Sequence, residues 1–259
     1  MERKRKEVGK VISQKELAPG IFDMWIETHL AQQAAPGQFV MIYPRAESTI
    51  LPRPISICQV EKEAGRLRIV YRVAGKGTGE FAGYRAGEDI ALMGTLGNGF
   101  PLKEAEGKRA LLLGGGIGIP PLLQLARELP GEKTVLAGYR DNHLFLQEDL
   151  EQCGPFYAAT EDGSVGIRGN VMDALMAHGL EGDVIYACGP MPMLRAVKHY
   201  AGERDIPAYL SLEERMACGV GACLGCVCKT TRKDAHSHVN NARICTEGPV
   251  FEASEVDIG

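Results

Sequence analysis

Eight cysteines are spread unevenly along the 259-residue chain. Four of them, Cys218, Cys223, Cys226 and Cys228, fall within eleven residues, and Cys245 follows at a distance. The first three have the spacing C-x4-C-x2-C, and Cys245 can close the set. This is the ligand pattern of a plant-type [2Fe–2S] cluster. The first two spacers are mostly Gly and Ala. Small residues let the backbone take the unusual angles of a loop wrapped round a cluster and bring amides close to the sulfurs. The competing chemistry is zinc, because C-x2-C pairs also build zinc knuckles. The long step from Cys218 to Cys223 and the Gly/Ala filling favour iron and sulfur. Cys228, only two residues after Cys226, is expected to point away, and His236 and His238 read as surface-loop histidines. Cys58 and Cys153 are isolated and read as structural.

A second chemistry lies upstream. The buried-type strand Arg109-Ala110-Leu111-Leu112-Leu113 runs into Gly114-Gly115-Gly116-Ile117-Gly118-Ile119, and Pro120-Pro121 opens a helix. Gly116 and Gly118 match the start of G-x-G-x-x-G, but Pro121 stands where the third Gly would be. Strand, Gly loop and helix start still place backbone amides at the carboxyl edge of a parallel sheet, where nucleotides bind. Cys188-Gly189-Pro190-Met191 ends another strand on the same expected edge, and its small residues would leave room for a ring. Cys188 itself reads equally well as a buried core residue. Arg140-Asp141 follows the next strand. An acid there suits a ribose 2′-hydroxyl and an arginine suits a 2′-phosphate, so this pair does not decide between NAD and NADP. Asp162-Gly163-Ser164 reads as a turn.

A third set of candidates is N-terminal. Arg53-Pro54-Ile55-Ser56 begins a strand, Val70-Tyr71-Arg72 lies on the next, and Gly75-Lys76-Gly77-Thr78-Gly79 opens a short helix. Amides at such a start and two arginines could meet an anion. On residue physics alone, a hairpin turn with ordinary strand arginines is the favoured reading.

These candidates need elements to position them. Residues 8–17, 21–28, 38–43, 54–59, 67–73 and 89–93 are short alternating or β-branched runs between Gly and Pro turn signals. They predict a six-stranded antiparallel β-barrel over 1–102. Beyond Gly107, strands alternate with helices, which predicts a parallel-sheet α/β domain over 103–210. The cysteine module occupies 211–259. Composition is ordinary for a globular protein, at 45% hydrophobic and 24% charged with a net charge of −4. No basic stripe points to nucleic acid. The run Arg3-Lys4-Arg5-Lys6 reads as a solvated strand entry. No long apolar stretch predicts a membrane span. Clustered cysteines without a secretion signal predict a reducing, cytoplasmic setting.

In this order the sites resemble the ferredoxin–NADP reductase superfamily: R-P-x-S in a barrel, a Gly-rich domain ending in C-G-P-x-x-M, then the cysteines. The segment Ser211-Leu-Glu-Glu-Arg-Met-Ala-Cys218, followed by Cys245-x-x-Gly-Pro-Val-Phe251, resembles one branch of it. That branch is the electron-transfer subunits of NAD-linked, type B, dihydroorotate dehydrogenases. The resemblance implies that Arg53, Pro54, Ile55, Ser56, Val70, Tyr71, Arg72, Gly77 and Thr78 hold FAD. It implies that Gly114, Gly115, Gly116, Gly118, Cys188, Gly189, Pro190 and Met191 hold NAD as co-substrate, and that Cys218, Cys223, Cys226 and Cys245 hold the cluster. Ile55 stands where much of the superfamily has an aromatic against the flavin, which leaves Tyr71 to supply stacking. The gap from Cys226 to Cys245 is slightly long for the branch. The resemblance also implies a partner, an FMN-bearing catalytic subunit that oxidises dihydroorotate, in a heterotetramer of two of each. Electrons would run from that FMN through the cluster and FAD to NAD+, in pyrimidine synthesis. Two alternatives share the parts: a reductase subunit for a hydrogenase, sulfide dehydrogenase or glutamate synthase system, and a non-enzymatic zinc or redox interaction module.

Overall fold

The computed structural model describes residues 5–46, 49–233 and 238–259. Six strands form the N-terminal barrel: β1 (Lys6–Ala18), β2 (Ile21–Glu27), β3 (Phe39–Tyr43), β4 (Arg53–Glu61), β5 (Arg66–Arg72) and β6 (Asp89–Leu96). They close antiparallel in the order β1-β2-β5-β4-β3-β6, and the helix α1 (Lys76–Phe81) follows β5. Alternation decides which side each residue takes. On β5, Leu67, Ile69 and Tyr71 pack inside the barrel with Met24, Val40, Ile57 and Leu92. Arg68, Val70 and Arg72 are left to face outward, toward the rest of the chain.

The following α/β unit contains β7 (Ala110–Gly115), α2 (Pro120–Glu128), β8 (Lys133–Tyr139), α3 (Gln147–Glu151), β9 (Phe156–Thr160), β10 (Ile167–Arg168), α4 (Val171–Ala177), β11 (Val184–Cys188), α5 (Met191–Glu203) and β12 (Ala208–Ser211). The sheet order is β10-β9-β8-β7-β11-β12, all parallel, with a seventh strand beyond β12. The chain winds outward one way from β7 and then returns to start again at β11. The β7/β11 boundary is therefore a topological switch point, where open α/β sheets bind ligands.

The cysteine-rich segment is not free-standing. It contains the hairpin β13 (Val227–Lys229) and β14 (Asn241–Arg243), then β15 (Val250–Glu252). β15 is the seventh strand of the sheet, antiparallel to β12, with Leu210 opposite Phe251. An expected all-parallel sheet is thus mixed, because the cysteine segment lends it an edge. One apolar cluster joins Phe39, Met41, Met93 and Leu96 of the barrel with Cys226, Ile244, Cys245 and Phe251.

The barrel and sheet are also tied by buried polar contacts. The Arg68 guanidinium forks onto both oxygens of Asp23 at 2.9 and 3.0 Å and donates to Gln59 at 3.1 Å and to Asp149, at the other domain's α3, at 2.9 Å. Gln124 on α2 accepts from the Val60 amide at 2.9 Å.

Candidate functional site

Three sequence candidates converge on one side of this boundary. A cleft of 320 Å³ is lined by Pro54, Ile55, Ser56, Val70, Tyr71 and Arg72 from the barrel, Ile117 from the Gly loop, and Ser211, Leu212, Glu213, Glu214 and Met216 from the stretch leading to Cys218. Beside it, a pocket of 480 Å³ is lined by Gly115, Gly116, Gly138, Arg140, Asp141, His143, Glu161, Pro190 and Met193 at the carboxyl edge of the sheet, and by Gly20 and Arg72 of the barrel. Arg72 is common to both cavities.

In the barrel part, Arg53 donates to the Leu51 carbonyl at 2.7 Å. Its guanidinium lies so close to Gly77 that a Cβ there would sit 2.9 Å from Nε. Gly77 is therefore small because an arginine must pass it. The Thr78 hydroxyl accepts from the amides of Ala74 at 2.8 Å and Gly75 at 3.2 Å. Thr78 thus closes the turn internally and takes up two of the amides at this helix start. Tyr71 is 1% exposed. Its ring is stacked on Phe22 at 5.9 Å and meets Phe81 edge-on, and its hydroxyl donates to Gln14 at 2.8 Å. The ring belongs to the barrel interior, so Ile55, only partly buried, is the better-placed apolar surface in the cleft.

The Gly loop has a double cause. A Cβ on Gly118 would lie 2.3 Å from the Cys188 carbonyl oxygen, and one on Gly115 would lie 2.6 Å from the Met193 sulfur. The end of β7 therefore passes against the end of β11 with no room for side chains. Gly116 has φ +53° and lies next to the Arg72 guanidinium. Pro120 and Pro121 open α2 and lack N–H groups, so this helix start offers fewer donors than an ordinary one. Gly114, Cys188 and Ser211 sit side by side across three strands. The Cys188 thiol is fully buried, and that burial pushes its pKa up against a hydrogen bond from Ser211. Gly189, Pro190 and Met191 carry the chain from there into α5. Asp141 accepts from the His143 amide at 3.0 Å and meets its ring Nδ1 at 2.7 Å. Those bonds, the backbone one first, hold the Asp141 carboxyl below its ordinary range.

The cysteines form two pairs. Cys218 contacts Cys223, and Cys245 contacts Cys226. Amides point at the sulfurs: Val220 to Cys218 at 3.4 Å, Gly225 to Cys223 at 3.4 Å, and Gly221 to Cys245 at 3.2 Å. Gly219, Gly221 and Leu224 adopt positive φ to allow this. Burial opposes ionisation of Cys218, but the amides and the Cys223 thiol outweigh it and bring its pKa down to about 6. Cys245 goes the other way, to about 12, through burial and then the adjoining Cys226 sulfur. Among the described residues, no three His, Cys, Asp or Glu side chains meet round a single point. Cys228 lies on β13 in neither pair. His238 is exposed, and His236 lies outside the described residues. Glu213, Glu214, Met216 and Ile117 were not expected as cleft residues; the hint was that 211–216 lead straight into the cysteines.

A family model described as the iron-sulfur cluster binding domain of dihydroorotate dehydrogenase B matches residues 213–257. The electron transfer subunit of dihydroorotate dehydrogenase B (NAD(+)) from Lysinibacillus sphaericus is 41% identical over 97% of this chain and 98% of its own length. That of Bacillus caldolyticus is 44% identical over 95% and 96%. The chain belongs to this family of electron transfer subunits. Among solved structures, an NADH-dependent reduced ferredoxin-NADP oxidoreductase, described for flavin-based electron bifurcation, superposes with TM-score 0.85 and 28% identity over 96% of this chain and 89% of that one. A ferredoxin NADP+ reductase from Neisseria gonorrhoeae with bound FAD and NADP shares the fold, at TM-score 0.65 and 18% identity over 76% of this chain and 91% of that one. The family's oxidoreductase role accounts for a barrel, a nucleotide-type sheet and an iron–sulfur segment in one chain. No helix of the described residues is long and apolar enough to cross a membrane.

Proposed function

We propose that this electron transfer subunit works with one FAD, one [2Fe–2S] cluster and NAD. The observation that carries the reading is that barrel, Gly loop and cysteine-bearing segment contribute walls to the same 320 Å³ cleft. In this reading, Arg53, Pro54, Ile55, Ser56, Val70, Tyr71, Arg72, Gly77 and Thr78 hold FAD. Ile55 offers apolar surface, and Arg53 and Arg72 offer charge to phosphate. Gly114, Gly115, Gly116, Gly118, Cys188, Gly189, Pro190 and Met191 receive NAD, where Cβ-free backbone permits close approach. Cys218, Cys223, Cys226 and Cys245 hold the cluster. Two thiol pairs suit two irons, whereas one zinc would draw four sulfurs round a single centre at about 2.3 Å. When bound, flavin supplies the conversion between paired electrons at NAD and single electrons at an iron–sulfur cluster.

This chain's part is to hold the ring systems, orient them and keep water from the cleft. Among the described residues, no base and substrate pocket for a carbon acid remains once the three sites are assigned. The reading therefore places dihydroorotate oxidation on an FMN-bearing catalytic partner, two copies of each chain forming a heterotetramer in the cytoplasm.

The purified single chain should show flavin absorption near about 450 nm with an iron–sulfur shoulder. It should reduce dyes with NADH and form no orotate from dihydroorotate. Strong orotate formation by the single chain would refute the division of labour. For the ligand set, Cys245→Ser should lose the iron signal in electron paramagnetic resonance while flavin stays bound, and Cys228→Ser should keep both. The reverse outcome would overturn the assignment.

A further inference from the structure

The 480 Å³ pocket runs from the switch point outward past β8, and its two ends differ in character. Near the switch point, Gly115 and Gly138 stand side by side across β7 and β8 and leave a floor without side chains. At the outer end, Arg140, Asp141 and His143 come from the end of β8 and Glu161 from the end of β9. The two strand ends stay paired beyond the sheet. The Glu161 amide donates to the Tyr139 carbonyl at 3.1 Å, and the Asp162 amide to the Arg140 carbonyl at 3.3 Å. Asp141 and Glu161, twenty residues apart in the chain, are thereby brought to one wall. Asp141 is half-buried, and its Oδ1 takes both the amide and the ring of His143, at 3.0 and 2.7 Å. Among the described residues its Oδ2 has no hydrogen bond, and the exposed Glu161 side chain has no hydrogen bond or ion pair.

Donors around this end are already in use. Asn170 Oδ1 takes the Met172 amide at 2.8 Å, and Asp173 takes the Asn170 amide at 2.7 Å. The Thr160 hydroxyl donates to the Val165 carbonyl at 2.8 Å, and Ser164 gives its amide and hydroxyl to Asp162 at 2.9 and 2.7 Å. Arg140 is the one arginine on this wall, and it is exposed. A phosphate here would meet two carboxylates and one arginine. A hydroxyl would meet a free acceptor, because a carboxylate accepts and never donates. We propose that Asp141 and Glu161 make this subunit choose NAD over NADP by two separate means. Asp141 accepts from the ribose 2′-hydroxyl of NAD, and Glu161 repels the 2′-phosphate of NADP. His143 is the positioning residue that holds the Asp141 carboxylate. The Arg140-Asp141 pair, which points both ways by itself, is then decided by an acid that the fold brings in from the next strand. This deepens, and rests on, the reading that NAD occupies the pocket.

The test titrates the oxidised, flavin-loaded protein with NAD+ and with NADP+ in a calorimeter, so that no turnover is needed. Wild type should bind NAD+ about a hundredfold more tightly, with about tenfold from a hydrogen bond to a charged group and about tenfold from like-charge repulsion. Asp141→Asn should lose about tenfold in NAD+ affinity. Glu161→Gln should gain about tenfold in NADP+ affinity. His143→Ala should reproduce part of the Asp141 loss, and His143→Gln, which can still donate to the carboxylate, should restore it. Asp162→Asn removes a neighbouring charge that does not line the pocket, and it should leave the preference near that of wild type. Flavin absorbance retained in each variant shows that the fold is intact. If either Asp141→Asn or Glu161→Gln leaves the preference unmoved, or Asp162→Asn moves it as far, the assignment is overturned. Wild type that binds both nucleotides equally overturns it too but leaves the nucleotide site standing. Wild type that binds neither refutes the nucleotide reading itself.

Discussion

Arg68 and Arg72 lie four residues apart on the same outer face of β5, yet the protein uses them in opposite ways. Arg68 has a side chain 8% exposed and engages three acceptor side chains, while the Trp25 ring lies 5.7 Å away. Burial works against its charge, but the hydrogen bonds to Asp23 and Asp149 and the nearby negative groups hold it firmly protonated. Arg72 lines both open cavities, with Glu213 and Glu214 on the cleft wall it shares. The space beside Arg68, at 630 Å³, is roomier than the 320 Å³ cleft. Room alone therefore does not mark a site. Charge that the fold has already neutralised holds domains together, and charge left open is available to a ligand.

Removing Arg68 should give the largest effect. Arg68→Met strands the buried Asp23 carboxylate and should cost about 3–5 kcal/mol of stability, read by urea unfolding. A variant as stable as wild type would mean that the clamp adds nothing. Arg72→Gln should leave the unfolding midpoint close to wild type. It should weaken FAD binding by about 1.5–3 kcal/mol, the worth of a hydrogen bond to a charged group, read by calorimetry on the flavin-free protein. If Arg72→Gln unfolds the protein as readily as Arg68→Met, the two arginines do not differ in kind.

The smallest effect concerns an exposed pair at the far edge of the sheet, where Arg109 grips Asp183 at 3.0 Å. Side-chain and backbone hydrogen bonds from Arg109 bring the Asp183 pKa down from 3.8 to about 2. A lowered folded-state value stabilises above the unfolded value and loses that contribution as pH falls from near 3.8 toward about 2. Asp183→Asn should therefore flatten the acid limb of the stability profile in that window, with a small loss of stability at neutral pH and none below about pH 2. Acid titration followed by circular dichroism checks this.

Much of this was legible in the residues. The six barrel strands and the alternation of strand and helix come from long apolar periods, which survive any tertiary context. The two-residue β10, the four-residue β12 and the three-residue β13, β14 and β15 were not legible, because so short a run has no period to read. Tyr71 illustrates a different limit. Sequence placed it beside the flavin motif, but alternation along β5 turns its ring into the barrel interior. Arg68 drew no reading at all, because its partners Asp23 and Asp149 are 45 and 81 residues away. Spacing said only that Cys245 can close the set, and the loop geometry brings its sulfur to Cys226. Glu213 and Glu214 belonged to the segment that leads to Cys218, and only the fold puts them on one wall with Arg72.

The route of the cysteine loop has a mechanical consequence. The chain leaves the nucleotide sheet at β12, presses Gly219 against Met41 and Leu96 of the barrel, and returns to the same sheet as β15. The loop thus works as a brace fixed at both feet to one body and wedged at its crown against the other. Any hinge motion that opens the cleft must lift the crown or slide a foot. Opening for nucleotide exchange and the footing of the thiols are therefore geometrically linked, and a partner that grips the loop would also hold the jaw behind it.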